Sequence, residues 1–467
     1  MKRQPVITMA FVAMIFLSQG CLRTEPIHPP SVPDGFPARF LSGQPAPVTD
    51  SSSAAAAPEP WWEAFKSSEL NRMVTRALGR NFTMREVQAR LEQAKAMAVE
   101  KRSLLSPMVT LGASALHSRT RENGQESTMN TISLGPSTSY EVDLWDRIKS
   151  QARSGELIVR ASSSDLETAA MTLGAEVANT WVDQIAVIRT LDLVKQQLAT
   201  NTQLAELLVL RFENALSTTL DVLQQQEILA GVKAQIPPLE RRIKQLSNRL
   251  NLLQGEAPSN EYPGENIAFP LLEPLPAPGI PADLLSKRPD IRAAELRLMA
   301  GKWDRRAEHA ARLPAINLTG SMGLDGSGLD GLFNSWTLSL GAAVAGTLFD
   351  GGKKAAVEER AAAVVAERLA FYEKTVFTAL NEVEDALADE IHQGAWLAAL
   401  DQELDAARLA LGEATRRYQK GLITFLPVVA EQLNVQRLER GLIVQQAGLV
   451  KARIGLHRAL GGIVVSG

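Results

Sequence analysis

A seven-residue apolar repeat occurs twice in this chain, and the two copies are separated by a constant distance. Within each copy an apolar residue returns at every seventh position, which predicts long helices that pack with coiled-coil geometry. Each member of the second series lies 206 residues after its counterpart, so the chain is predicted to be a tandem duplication with equal element lengths. The two series are Val222, Leu229, Ile236, Ile243 and Leu250, and Val428, Val435, Leu442, Leu449 and Leu456.

Proline marks the same repeat and bounds its helices. Pro107 and Pro314 are 207 residues apart, as are Asp143 and Asp350, and no proline occurs from 137 to 236 or from 315 to 426. Such proline-free stretches of good helix formers predict very long helices, each about 100 Å if continuous. We predict helices over about 146–211, 217–253, 352–417 and 423–460, with Pro237 and Pro238 kinking the second.

Each half also contains a pair of alternating segments, over about 107–142 and 314–347. In the second pair, Leu338 and Leu340 alternate with Thr337 and Ser339, so one face is apolar and the other is small and polar. Segments of about ten such residues fit tilted strands that cross a bilayer, although the alternation fits a soluble amphipathic sheet equally well. Four strands cannot close a barrel with a lumen, so several chains must share one, and three chains would supply twelve strands.

The N-terminus has the pattern of a secretory signal over residues 1–20, with a positive start and an uncharged stretch from 6 to 17. Cys21, the single cysteine, stands at the expected cleavage point, which resembles a bacterial lipobox; an ordinary signal peptide with an incidental cysteine is the alternative. A proline-rich tether follows over 21–60. We therefore predict a first repeat over 61–253, a proline-rich linker over 254–286 and a second repeat over 287–467.

The residues that would support catalysis or nucleic-acid binding do not form recognisable patterns. The formal charge of −3 gives no basic footprint for nucleic acid. One cysteine and five scattered histidines give no metal-ligand spacing, so we predict no metal, no cofactor and no enzyme activity. The segment from Asp325 to Gly331 lacks the terminal glutamate of a calcium loop and is predicted to be a flexible extracellular loop.

Several motifs, taken in order, resemble the TolC-like outer-membrane efflux family, and within it the lipoprotein branch around OprM and NodT. They are Cys21, Trp61–Phe65, Tyr140–Trp145, Lys287–Glu295, Leu348–Gly352 and Tyr418–Leu422. The resemblance implies an α+β membrane protein that forms a trimer. Its twelve-stranded outer-membrane β-barrel would continue into a twelve-helix periplasmic α-barrel. An equatorial domain would come from 61–80, 254–290 and the C-terminus.

The same resemblance implies a function and a set of partners. The chain would be the passive exit duct of a tripartite efflux or export complex in the cell outer membrane. An inner-membrane transporter would drive export through a periplasmic adaptor protein, and outer-membrane lipid would surround the homotrimer. The alternative is a periplasmic lipoprotein adaptor or coiled-coil scaffold without a pore. Adaptors carry one helical hairpin and several β-domains rather than a duplicated unit of strands and long helices.

The resemblance further implies that the two helix–helix turns contact the adaptor. The candidate contact residues are Asn214, Ala215, Leu216 and Ser217 in the first turn, and Lys420, Gly421, Leu422 and Thr424 in the second. Ala215 stands where the family usually has glycine. The alternative for any one of these residues is a plain helix–helix turn.

A gate is predicted near the second turn. Leu409, Glu413 and Arg416 are spaced four and then three residues apart, which places them on one face of a helix. The first-half counterparts are uncharged: Gln203, Leu207 and Leu210. The set is similar to the one that constricts the pore in the OprM-like branch. Three copies of Glu413, held by Arg416 or Arg417 of a neighbouring helix, would form an acidic ring that favours cations; a surface ion pair is the alternative.

Overall fold

The computed structural model describes residues 27–33, 35–41, 60–259, 268–275 and 280–462. Cys21, the candidate lipidation site, lies outside these residues. The chain divides into two compact units. The strand unit contains Leu104–Ser154 and Leu298–Ala366, together with the described residues before Val32, and the helical unit contains Val32–Ser103, Gly155–Arg297 and the chain from Glu367 onward.

The first repeat contains two short helices, a strand pair, a long helix and a divided helix. After a 3-10 turn at Trp61–Phe65 its elements are α1 (Ser68–Arg80), α2 (Phe82–Ser103), β1 (Met108–Glu122), β2 (Gln125–Val142), α3 (Arg147–Glu213), α4 (Thr219–Ala234) and α5 (Ile236–Leu253). The break between α4 and α5 occurs where the sequence has Pro237 and Pro238, which occupy the first turn of α5.

The second repeat has the same order of elements. They are α6 (Asp283–Lys287), α7 (Pro289–Ala310), β3 (Ala315–Gly326), β4 (Trp336–Ala345), α8 (Lys353–Gln419) and α9 (Leu426–Ala459), with a 3-10 turn at Leu329–Gly331 between the strands. The two long helices, α3 and α8, have 67 residues each. Among the described residues, none of the helices combines the length and apolar character needed to span a bilayer.

The two aspartates that are 207 residues apart cap these long helices. The Asp143 carboxylate accepts hydrogen bonds from the backbone N–H of Ile148 at 2.9 Å and Lys149 at 2.8 Å. The Asp350 carboxylate accepts them from Gly352 and Lys354, each at 3.0 Å. An acidic side chain here satisfies backbone donors that have no partner within the helix. These bonds hold the pKa of Asp350 below its usual value.

The strands form one antiparallel sheet in the order β1-β2-β3-β4. Because partner residues of adjacent strands share a face, the register decides which side chains lie together. Leu111 pairs with Pro136, Met322 pairs with Leu338, and the register places all four on the apolar face. Thr110, Ser137, Ser321 and Ser339 form a row on the opposite face. Where β2, β3 and β4 pair, the sheet therefore has one mostly apolar face and one face of small, mostly polar side chains.

The core of the helical unit contains the aromatic residues of the 3-10 turn Trp61–Phe65. Trp61, Trp62 and Phe65 are each at most 5% exposed and pack in one cluster with α1, α3 and α9. His457 of α9 lies against two of them, with ring centroids 6.0 Å from Trp61 and 6.0 Å from Phe65. Burial, together with the charge of Arg453, lowers the pKa of His457 from 6.5 to about 4.

This site predicts a loss of stability in mild acid. The unfolded chain takes up a proton near pH 6.5 and the folded chain only near pH 4, so the stability that neutral His457 contributes is present above pH 6.5 and is lost as the pH falls toward 4. We expect a loss of about 1 to 2 kcal/mol between pH 7 and pH 5. His457→Phe should reduce this loss in denaturant unfolding. His392→Phe, at an exposed position, is the control. An unchanged pH dependence in His457→Phe would contradict the assignment.

Candidate functional site

Two helix–helix turns in the helical unit have the same backbone geometry. In the first, Ala215 has a φ of 58°, Leu216 N–H donates to Arg211 C=O at 2.8 Å and Ala215 N–H donates to Phe212 C=O at 2.9 Å. In the second, Gly421 has a φ of 71°. Leu422 N–H donates to Arg417 C=O and Gly421 N–H donates to Tyr418 C=O, each at 2.9 Å. Both are left-handed helix endings of the type that glycine favours. The first turn therefore has a backbone conformation that favours glycine, although residue 215 is alanine.

Polar side chains reinforce the first turn. The Asn214 side-chain amide donates to Leu210 C=O at 2.8 Å and the Ser217 hydroxyl donates to Leu208 C=O at 3.1 Å. Thr218 and Asp221 then form a reciprocal capping box at the start of α4, with bonds of 3.2 and 3.0 Å. These contacts offset the strain of a left-handed alanine.

The second turn is held by packing rather than by side-chain caps. Lys420 N–H continues the helix by donating to Arg416 C=O at 3.2 Å, and Leu422 and Thr424 follow in the connection to α9. Phe425, which precedes α9, is 1% exposed, and Pro427 occupies the first turn of α9.

A contact between aromatic and cationic side chains joins the two turns. The guanidinium carbon of Arg211 lies 5.2 Å from the centroid of the Tyr418 ring, and Tyr418 packs on Phe425 with centroids 5.1 Å apart. Burial raises the pKa of the Tyr418 hydroxyl, and the negative charge of Asp221 adds to the rise. The sequence analysis names Tyr418 only as part of the motif Tyr418–Leu422 and gives no indication of its contact with Arg211. The spacing of Thr218 and Asp221, typical of a capping box, could have identified the cap.

Apolar side chains are exposed around both turns. Leu216 is 63% exposed and Leu422 is 69% exposed. Further exposed apolar residues within about two helical turns of these leucines are Leu210, Phe212, Leu220, Leu223 and Leu426. An apolar patch of this kind on a helix end is typical of a surface that contacts another protein.

The three gate candidates lie on an exposed face of α8. Leu409 is 77% exposed. The Glu413 carboxylate contacts Arg416 Nη2 at 2.8 Å and Arg417 Nε at 2.8 Å, so both arginines belong to the same helix as the glutamate. The hydrogen bond from Arg417 and the charge of Arg416 hold the pKa of Glu413 below its usual value. Within one chain, Glu413 therefore forms a surface ion pair with Arg416 and Arg417. The Glu413 carboxylate and the exposed Leu409 side chain lie on the same face of α8.

In the part of the chain that the structure describes, no group of three or more His, Cys, Asp or Glu residues could hold a metal ion. In the helical unit, Arg453 and Glu390 form an ion pair in which both side chains are buried. Arg453 Nη1 also donates a hydrogen bond to the Glu273 C=O at 2.6 Å. Together these contacts join α8 and α9 to the segment before residue 276.

Residues 73–256 and 280–462 match the outer membrane efflux protein family. The two matched segments begin 207 residues apart and end 206 residues apart, so the family match repeats the internal duplication seen in the sequence. The chain belongs to the outer membrane efflux protein family.

Named relatives agree with this assignment over nearly the full chain. The pyoverdine export outer membrane protein OpmQ of Pseudomonas putida is 30% identical over 464 residues, which cover 97% of each chain. The outer membrane protein OprJ of Pseudomonas aeruginosa is 32% identical and covers 89% of this chain and 90% of its own length. Among solved structures, the outer-membrane channel OprN superposes with a TM-score of 0.85 at 26% identity, over 94% of this chain and 99% of that one.

The two turns give a matched pair of stability predictions. Ala215→Gly should stabilise the fold by about 1 kcal/mol, because glycine adopts a positive φ without steric cost, and Gly421→Ala should destabilise it by a similar amount. Denaturant unfolding followed by circular dichroism measures both. Ala215→Ser keeps a side chain on the strained backbone and should give no gain. Loss of stability in Ala215→Gly would contradict the left-handed turn.

Proposed function

We propose that this chain is the exit duct of a tripartite efflux or export complex in the outer membrane. In this proposal the duct is passive, and an inner-membrane transporter supplies the energy through a periplasmic adaptor. Membership of the outer membrane efflux protein family supports the location, and relatives named for pyoverdine export and solvent efflux support the transport role. The observation that carries the proposal is the sheet with one apolar and one polar face.

The sheet supports a barrel made from three chains. In the part of the chain that the structure describes, β1 and β4 each pair on one side only, which leaves backbone donors and acceptors along two edges. A bilayer offers these groups no hydrogen-bond partner, so the edges must be closed by other chains. Three copies would give twelve strands. With α4 and α5 counted as one divided helix, α3, α4–α5, α8 and α9 would supply four helices per chain to a twelve-helix tunnel.

The two faces assign the environments of the strands. The apolar face, which includes Leu338 and Leu340, would contact lipid. The polar face, which includes Thr337 and Ser339, would line a water-filled lumen. Leu340 is 84% exposed within the single chain, so lipid is the environment that removes its side chain from water.

The two turns and Cys21 would make the remaining contacts. The exposed leucines at positions 216 and 422 form an apolar surface for the helical hairpin of an adaptor. Asn214, Ser217, Lys420 and Thr424 would frame that surface. The lipid on Cys21 would add only weakly to a barrel that already spans the membrane. The mass of the mature N-terminus tests this point.

Leu409, Glu413 and Arg416 would close the duct at the periplasmic end. Three exposed leucines around the axis would narrow the passage, and three Glu413 carboxylates would favour cations. Arg416 and Arg417 hold the carboxylate in place from the same helix. A pore-free adaptor, the alternative, is not supported by the family match.

Lysine substitutions test the assignment of the two sheet faces. Leu340→Lys should impair barrel assembly at a cost of roughly 2–4 kcal/mol, because the charge would lie in the bilayer. Ser339→Lys, the adjacent position on the other face, should assemble normally and change the conductance. The measurements are the yield of assembled protein in outer membranes and conductance in planar bilayers. Equal tolerance at both positions would contradict the assignment.

Single-channel recording tests the gate. The double variant Leu409→Ala with Glu413→Ala should raise the open probability and weaken cation preference, because it removes the constriction and the acidic ring. Glu403→Ala is the control: it lies on α8, as Glu413 does, and removes an exposed ion pair with Arg437 of α9, so both properties should stay unchanged. Normal gating in the double variant would identify Glu413 as surface charge only.

A further inference from the structure

The polar face of the sheet carries very little charge. Over the region where all four strands pair, its side chains are mostly Ser, Thr, Gly, Asn and Ala. Two carboxylates, Glu141 and Asp325, are the charged groups on this face in that region. Glu141 and Asp325 lie near opposite ends of the β2–β3 pairing, opposite Asn317 and Ser133 respectively.

The two carboxylates differ in their partners. Glu141 is neutralised by a two-point contact with Arg147, with Arg147 Nε to Oε1 at 3.0 Å and Nη2 to Oε2 at 2.6 Å. Asp325 has no basic partner among the residues that the structure describes, and its backbone C=O accepts a bond from the Ser335 hydroxyl at 2.6 Å. Among the described residues, therefore, only one of the two carboxylates, that of Glu141, is held by an arginine.

A hollow lies beside Asp325, where three strands contribute glycine to its lining. Gly112 and Gly135 are register partners, and a Cβ on Gly135 would lie 3.0 Å from the Cα of Gly323. Gly135 is required there, since a Cβ at this position would lie 1.8 Å from the Met322 carbonyl oxygen. The hollow has a volume of about 350 Å³, and hydroxyl-bearing side chains contribute to its lining: Ser114, Ser133, Ser137, Ser321 and Thr337.

We propose that Asp325 and these hydroxyls form a cation-binding position in the wall of the duct, separate from Glu413. The inference rests on the proposed function, because it requires the polar face to line the lumen and three chains to surround it. Hydroxyl and carboxylate oxygens are the ligands that hard cations prefer. A single half-buried carboxylate per chain binds a hydrated potassium ion weakly, which lets the ion enter and leave. Three copies raise the local cation concentration in the barrel.

Asymmetric potassium chloride across a planar bilayer tests the position with the full-length protein. Asp325→Asn keeps the shape of the side chain and removes its charge, and it should lower the potassium-to-chloride permeability ratio by about twofold or more. Asp325→Ser should give the same change, so the effect does not depend on one substitution. Asp330→Asn, in the 3-10 turn that follows β3, is the matched control and should keep the wild-type ratio.

The outcomes separate this inference from the proposed function. A conducting Asp325→Asn channel with the wild-type permeability ratio overturns the cation position and leaves the duct intact. An equal change in Asp325→Asn and Asp330→Asn also overturns it, because the effect would then reflect net charge alone. Absence of conductance in the wild-type protein would contradict the duct itself.

Discussion

The hydrogen-bonding groups along the edges of the four-stranded sheet are the constraint on which the rest of the molecule depends. β1 and β4 each lack a neighbour on one side in the described part of the chain, and the sheet has a mostly apolar face that includes Leu338 and Leu340. An apolar face favours lipid, whereas an open edge is excluded from it. Both conditions would be satisfied if copies of the chain completed each other's sheet, and this is the backbone argument for the proposed shared barrel.

Buried polar contacts fix how the helices pack. Gln225 Nε2 donates to the backbone C=O of Asn201 at 3.2 Å and to its side-chain Oδ1 at 3.0 Å. Gln432 Nε2 donates to the same Oδ1 at 2.6 Å, so this layer of amides joins α3, α4 and α9. Heptads of apolar residues alone would permit several registers between long helices. A buried amide layer disfavours shifted registers, because a shift would leave amide groups without partners.

Much of this structure could be predicted from the sequence because the repeat is periodic. The heptads, the proline-free segments and the paired Asp143 and Asp350 give the long helices, and strict alternation gives the strands. Contacts across distant segments could not be predicted in this way. Arg211 and Tyr418 are separated by about two hundred residues, and no local pattern indicates that the Arg211 guanidinium lies against the Tyr418 ring. The position of Asp325 beside the hollow depends likewise on the register of β2 with β3.

The number of chains in the assembly tests the central claim most directly. Native mass spectrometry of the detergent-solubilised protein measures it without substitutions. The account predicts a single assembly with three times the mass of the mature chain, because three four-stranded sheets close the barrel. A folded monomer or dimer as the stable species would contradict it, since the edges of β1 and β4 would then remain open in the membrane.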